Sequence, residues 1–211
     1  MRNSVDVVIP MQLNSNFTLL YPVQVDWEKF TAYRPDIPFS DEVIEFLNIL
    51  SGGILKDRNS RLYPDVITFA FFCRKANLQK LKGEYVHEEL RLGRGVLFHI
   101  APSNVPINFG YSLVAGLLSG NINIVRVSSK QFPQVDLIIK HLHEILKSEL
   151  YDEVASRIVL VRYDRTSDAN AYFSSIANVR VIWGGDTTIA TIRQSALPAR
   201  SFVCLSLSDR Y

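Results

Sequence analysis

Three short stretches place polar or flexible residues where apolar runs stop. In Ala101-Pro-Ser-Asn-Val-Pro106, Ser103 and Asn104 stand between two prolines. In Arg126-Val-Ser-Ser-Lys130, two cations flank the small hydroxyls of Ser128 and Ser129. In Trp183-Gly-Gly-Asp186, paired glycines precede an amphipathic run. Each type of residue suits an anionic ligand. A helix N-terminus offers unpaired N–H groups, glycines let backbone come close to a phosphate, and a cation beside hydroxyls can hold a second phosphate. Each stretch also fits a plain structural role. Ser103 or Asn104 would serve as a helix N-cap with Pro106 in the first turn. The cations would form a solvated surface, and Gly184-Gly185 an ordinary turn. On the residues alone both alternatives stand.

Other chemistries are weakly supported. The sequence has two cysteines, Cys73 and Cys204, so a disulfide-dense secreted scaffold is excluded. No CxxC pair and no HExxH offers a metal site. Of the four histidines, His99 lies within an apolar run and reads as a satisfied core residue. His141 and His143, two apart on a helix, cannot share a face, and His87 carries no motif. The 23 Lys+Arg against 21 Asp+Glu leave a net charge of +2, too little for a nucleic-acid partner. Polar residues interrupt the N-terminus before a signal-peptide core forms. The greasiest stretch, 109–118, is about half a membrane span. A reducing, cytoplasmic setting is expected, with both thiols as small buried hydrophobes.

The elements that must position these stretches follow from periodicity. Within 211 residues, 47% are hydrophobic and 21% charged, which is ordinary globular composition. Residues 1–92 read as an N-terminal extension. Strands at 5–9 and 17–20 suggest a hairpin; Ser40 caps a helix that Gly52-Gly53 should end, and a second helix runs from Pro64 to about Leu81 before Gly83. Phe69, Phe71 and Phe72 on that helix are core or interface residues. From residue 93 the pattern alternates. Strands at 95–100, 122–127, 158–163, 179–183 and 202–207 are each apolar, and helices at 105–118, 134–148, 167–176 and 187–194 separate them. This predicts an α/β fold with a doubly wound, Rossmann-like parallel sheet, whose ligands sit at the carboxyl ends of the strands. In such folds the end of the second strand reads the adenosine ribose, and the Arg126 cation suits a 2′-phosphate there. The GxGxxG fingerprint is missing, so an ordinary Rossmann dehydrogenase is not supported.

Together these residues resemble a known family. GRGVLFHIAPSNVPINFGYSLVAGLLSGNINIVRVSSKQFPQVD, then YFSSIANVRVIWGGDTTIATIR and SDRY, are similar to the acyl-CoA reductases. That family includes the fatty-acid reductase of bacterial bioluminescence and belongs to the aldehyde dehydrogenase superfamily. The match spans residues 93–211. It implies the aldehyde dehydrogenase type of sheet, and NADPH-dependent reduction of an activated fatty acyl group (acyl-CoA or acyl-protein thioester) to an aldehyde. Asn104 matches the superfamily's oxyanion-donating asparagine and is the catalytic candidate. The cofactor candidates are Ile100, Ala101, Pro102 and Ser103 of the first turn, with Arg126, Ser128 and Ser129, then Gly184, Gly185 and Thr188. Arg126 stands where the superfamily has a ribose-binding lysine, and Ser129 where NAD-preferring members have a glutamate, which leans towards NADP. Trp183 stands either in the nicotinamide pocket wall or in the core. The resemblance also allows an acyl-transferring partner protein and a homo-oligomer.

The sequence departs from the pattern at the chemistry. The superfamily's route passes through an acyl-cysteine thioester, which needs an activated thiolate. Its nucleophile lies on a loop beyond the last strand predicted here. Cys204 falls inside that strand and Cys73 on an N-terminal helix. Its general-base glutamate would fall near 205–207, where no acid occurs. The final strand is expected to be buried, yet no covering helix follows it. These residues are therefore expected to be the cofactor-binding part of a longer reductase or a truncated form, with the catalytic cysteine domain absent. The alternative is a non-catalytic nucleotide-binding or interaction module that keeps the fold.

Overall fold

The computed structural model describes residues 17–85, 89–164 and 167–206. The predicted strand at 5–9, His87 and the terminal SDRY lie outside them. In chain order the elements are β1 (Thr18–Tyr21), α1 (Trp27–Ala32), α2 (Asp41–Lys56), α3 (Pro64–Phe72), α4 (Lys75–Tyr85), β2 (Val96–Ile100) and α5 (Asn108–Leu118). Then follow β3 (Ile122–Val127), α6 (Pro133–Ile145), α7 (Asp152–Ala155), β4 (Ile158–Arg162), α8 (Ala169–Ile176), β5 (Val179–Trp183), α9 (Asp186–Arg193) and β6 (Phe202–Ser206). Short 3-10 turns at Arg58–Leu62 and Glu149–Tyr151 connect the helices.

One six-stranded sheet runs in the order β1-β4-β3-β2-β5-β6. Strands β2 to β6 are mutually parallel, and β1 adds to the β4 edge antiparallel, Thr18 opposite Arg162. This is the predicted doubly wound α/β fold. Alternation along β4 shows how it is covered: Ile158 and Leu160 join one core, Val159 and Val161 the other. The first core packs α2, α3, α5 and α6 on one face, so the N-terminal helices share their core with the sheet. The second packs α1, α8 and α9 on the opposite face. Every residue of β2 and β3 is buried, which explains their near-continuous apolar sequences.

Several boundaries differ from the sequence pattern. α2 continues through Gly52-Gly53 to Lys56; a β-carbon at Gly53 would lie 3.2 Å from His141 Nδ1, so close helix packing, not termination, explains that glycine. The helix predicted at 64–81 is two helices broken at Cys73-Arg74. Two asparagines satisfy the break: Asn77 donates to the Phe72 carbonyl (2.7 Å), and Asn48 accepts from the Lys75 N–H (3.1 Å). α4 then passes Gly83 to Tyr85. α1 and α7 have no strong periodic signal, being six and four residues long. Phe69 is buried, whereas Phe71 is exposed beneath the Arg74 guanidinium. β6 is not the buried strand expected: it forms the outer edge among the described residues and leaves Phe202, Val203 and Leu205 exposed. No helix among the described residues is long and apolar enough to cross a membrane.

Phe173 of α8 is the hub of the second core. Its fully buried ring lies 5.2–5.5 Å from those of Phe17, Trp27, Phe98 and Tyr172. Truncating a buried phenylalanine removes contacts on every side and leaves a cavity. Phe173→Ala is expected to lower stability by about 3–5 kcal/mol in urea unfolding; a loss below about 1 kcal/mol would contradict this packing.

Candidate functional site

The site is built where β2, β3 and β5 end together. After Ile100 the chain makes a turn of seven residues before α5 begins at Asn108. The prolines explain the delay relative to the predicted start at 105. Ala101 and Val105 each precede a proline, which biases them away from helical geometry. Ile107, not Ser103 or Asn104, occupies the N-cap position, so neither polar residue is used as a cap. Asn104 is exposed, and its amide makes no hydrogen bond among the described residues. The turn thus leaves the Asn104 amide exposed.

On β3, Arg126 is 6% exposed and pairs with Ile100 across the ladder. Its Nη2 donates to the Tyr163 carbonyl (3.3 Å), and its guanidinium stacks 4.8 Å from the Tyr163 ring centre. Arg126 is therefore a structured, desolvated cation, unlike exposed Lys130. The Ser128 hydroxyl donates to the Ser103 carbonyl (3.2 Å) and ties the two strand ends together. On β5, Gly185 is the N-cap of α9, and a β-carbon at Gly184 would press on Thr188 at 3.2 Å. The three stretches enclose one cleft of about 320 Å³. The run from Ile100 through Asn104 lines it with Arg126, Trp183, Gly184, Gly185 and Thr188. Of the sequence candidates, Ser128 lies behind this wall, and Ser129 faces a neighbouring cleft.

Polar residues inside the core fix one wall of the cleft. Trp183 Nε1 donates to Ser112 Oγ (3.0 Å), and Ser112 Oγ lies 2.8 Å from His99 Nδ1. His99 Nε2 lies 3.0 Å from Asn123 Oδ1, and Asn123 Nδ2 donates to the Asn121 carbonyl (2.8 Å). The donor on Asn123 fixes its amide, so Oδ1 accepts from His99 Nε2–H, and Nδ1 accepts from the Ser112 hydroxyl. Every polar atom of the relay then has a consistent role. The small residue at Gly116 admits it, since a β-carbon there would overlap Asn123 Oδ1 and crowd His99 Nε2. His99 is thus satisfied in the core, as its apolar strand suggests. The sequence reading missed Ser112 and Asn123; the available signal was a small polar residue within each of two largely apolar segments.

The acyl-CoA reductase (LuxC) family model matches residues 72–204, well over half of the chain. The chain belongs to the acyl-CoA reductase family. Solved aldehyde dehydrogenases share its fold. The aldehyde dehydrogenase from Bacillus cereus superposes with a TM-score of 0.63 at 14% identity, covering 85% of this chain and 42% of its own. Glyceraldehyde-3-phosphate dehydrogenase from Methanocaldococcus jannaschii, solved with NADP, gives 0.62 at 16% identity, covering 85% and 44%. Lactaldehyde dehydrogenase from Escherichia coli gives 0.57 at 16%, covering 79% and 39%. This chain therefore spans about two fifths of the length of those structures. No match among curated proteins was found.

The thiols of this chain lie away from the cleft. Cys73 caps α3, is fully buried, and burial pushes its thiol far above the usual range. Cys204 is exposed on β6 opposite Val181, short of the carboxyl end where the cleft lies. His141 contacts Asp57 and Glu144 (3.1 Å each), and His143 Nε2 bonds the Leu20 carbonyl (2.8 Å). No group of metal-ligating side chains forms among the described residues.

The relay has a pH signature. Burial pushes His99 down from 6.5 to about 4, against the opposing effect of its hydrogen bond to Asn123. Below 6.5 the unfolded chain takes up a proton that the folded chain refuses. The stabilisation is therefore complete above pH 6.5 and is lost as pH falls towards 4, by up to about 1.4 kcal/mol per pH unit. Urea midpoints of the native protein are expected to fall more steeply over this window than those of His99→Gln. Parallel curves would contradict a neutral His99.

Proposed function

We propose that this chain binds NADPH for the reduction of an activated fatty acyl thioester to an aldehyde. The observation that carries the proposal is convergence. Three stretches far apart in sequence, each suited to an anionic ligand, meet in one cleft at the carboxyl ends of a parallel sheet. Membership of the acyl-CoA reductase family supports the reaction class.

The residues fit a dinucleotide. Gly184 and the N-terminus of α9 provide a backbone cradle for a pyrophosphate, and a side chain at Gly184 would press on Thr188 in the same lining. Arg126 supplies a fixed cation on the adenosine side, with Ser128 and Ser129 beyond it, and the turn from Ile100 to Ser103 forms the facing wall. When bound, NADPH supplies a hydride. Asn104 carries an exposed amide that can donate to the thioester oxygen as negative charge develops there. Trp183, anchored through Ser112, keeps an aromatic surface on the cleft. Neither cysteine meets the requirement for an activated thiolate near the cleft: Cys73 is sealed in the core, and Cys204 lies along the outer strand. The acyl-accepting thiolate is therefore assigned to a cysteine outside these 211 residues. The setting is proposed as cytoplasmic, with the acyl group arriving on coenzyme A or on a partner protein.

Calorimetric titration tests the proposal. NADPH is expected to bind saturably and tighter than NADH. Arg126→Ala should weaken NADPH roughly ten- to hundredfold, the range for a hydrogen-bonded charge. The chain alone should form no aldehyde from an acyl-CoA, and Cys204→Ser should change nothing. Absence of any nucleotide effect on binding or melting would sink the cofactor assignment. Turnover abolished by Cys204→Ser would sink the assignment of the thiol.

A further inference from the structure

The amino ends of the parallel strands, opposite the cleft, carry a ledge built on Asp36. Its N–H donates to the Gly120 carbonyl (2.8 Å), and its carbonyl accepts from the Gly93 N–H (3.0 Å). Arg157 Nη1, just before β4, donates to its carboxylate (2.8 Å). One residue thus pins the segments that lead into β2, β3 and β4. The ledge exposes large apolar side chains. Leu90 is 87% exposed, and Ile37 and Leu92, beside the Asp36–Gly93 contact, are also exposed. Phe202, which begins β6, is exposed with the Arg94 guanidinium 4.8 Å from its ring centre. Around them Arg34, Arg94 and Arg200 are exposed, and no carboxylate pairs with any of the three among the described residues. Two acids of the ledge are already taken, Asp36 by Arg157 and Glu89 by Arg91 (3.1 Å).

We infer that this ledge docks the chain onto an anionic lipid bilayer. Leu90, Leu92 and Phe202 enter the interfacial layer, and the three arginines meet the lipid head groups. Charge complementarity decides the sign: guanidinium groups with no facing carboxylate suit a negatively charged surface. Shape decides for a bilayer. A side chain as exposed as Leu90 protrudes, and a fluid interfacial layer accepts such a tip, whereas a folded partner would need a matching recess. Arginine suits that boundary, because its stem lies along apolar surface while its charge stays among the head groups. Arg94 over Phe202 already shows the arrangement. The strand-end cleft lies at the opposite ends of the same strands, so docking leaves it open to water. The inference therefore stands apart from the cofactor proposal.

Vesicle co-sedimentation tests this. The native chain is expected to bind vesicles of phosphatidylserine and phosphatidylcholine in equal parts about tenfold or more tighter than vesicles of phosphatidylcholine alone. Raising salt from about 0.1 M to about 0.5 M should weaken that binding. Arg94→Gln combined with Arg200→Gln should weaken it about tenfold or more, as loss of two surface cations predicts. Leu90→Ser combined with Leu92→Ser should weaken it by a similar factor, about tenfold, through the lost apolar contact. Both pairs are exposed, so the variants should melt as the native chain does. A third variant requires no loss of binding: Leu90→Trp should gain fluorescence that brominated acyl chains quench. Equal affinity for the two kinds of vesicle, binding to neither, or binding unchanged in the leucine variant overturns the inference. So does Leu90→Trp emission that brominated lipid leaves unquenched. A native dimer that the leucine variant dissociates, with no vesicle binding, also overturns it and assigns the ledge to a second copy of this chain.

Discussion

A parallel sheet covered on both faces has no water to offer the polar side chains in its strands, so each must find a partner inside the protein. Here His99 and Asn123 lie side by side in the two central strands, with Ser112 above them on α5. Unpaired, each would carry a desolvation cost of about 1–3 kcal/mol. Paired, they form a line of hydrogen bonds that ends on Trp183 at the rim of the cleft. Strands β2, β3 and β5 and helix α5 are thereby locked at the level where the candidate site forms. Satisfying the core and positioning the site are one constraint.

Under the proposed function, that arrangement separates binding from bond-making. The cleft holds one fixed cation, open backbone and an exposed amide, all suited to an anionic ligand. It holds no thiol, and the two thiols present lie in the core and along an outer strand. The exposed apolar side chains of β6 belong to that same outer edge. Family membership accounts for the order of the motifs, while the proposed thioester reduction would require a nucleophile that this cleft does not contain.

The sheet was legible in the sequence because buried parallel strands are written as apolar runs; the bounds Ile122–Val127 and Val179–Trp183 coincide with the predicted ones. Helix ends were less legible, because they are decided by tertiary partners. Asn48 and Asn77 break one predicted helix from positions that carry no periodic signal, and Gly53 serves close packing where its type suggests a stop. The late start of α5 follows from Pro102 and Pro106 acting together on the residues before them. The clustering of Asn104, Arg126 and Gly184 was foreseeable from topology. Ser112 and Asn123 were not, since their roles depend on which elements lie beside which.

Everything proposed for this chain turns on the strand-end cleft being the cofactor site. Hydrogen exchange followed with and without saturating NADPH tests that most directly, because it locates binding without requiring turnover. Slowed exchange is expected in segments 101–108, 126–130 and 184–189, with the N-terminal helices unchanged. Protection confined to other segments, or none despite measurable binding, would contradict it.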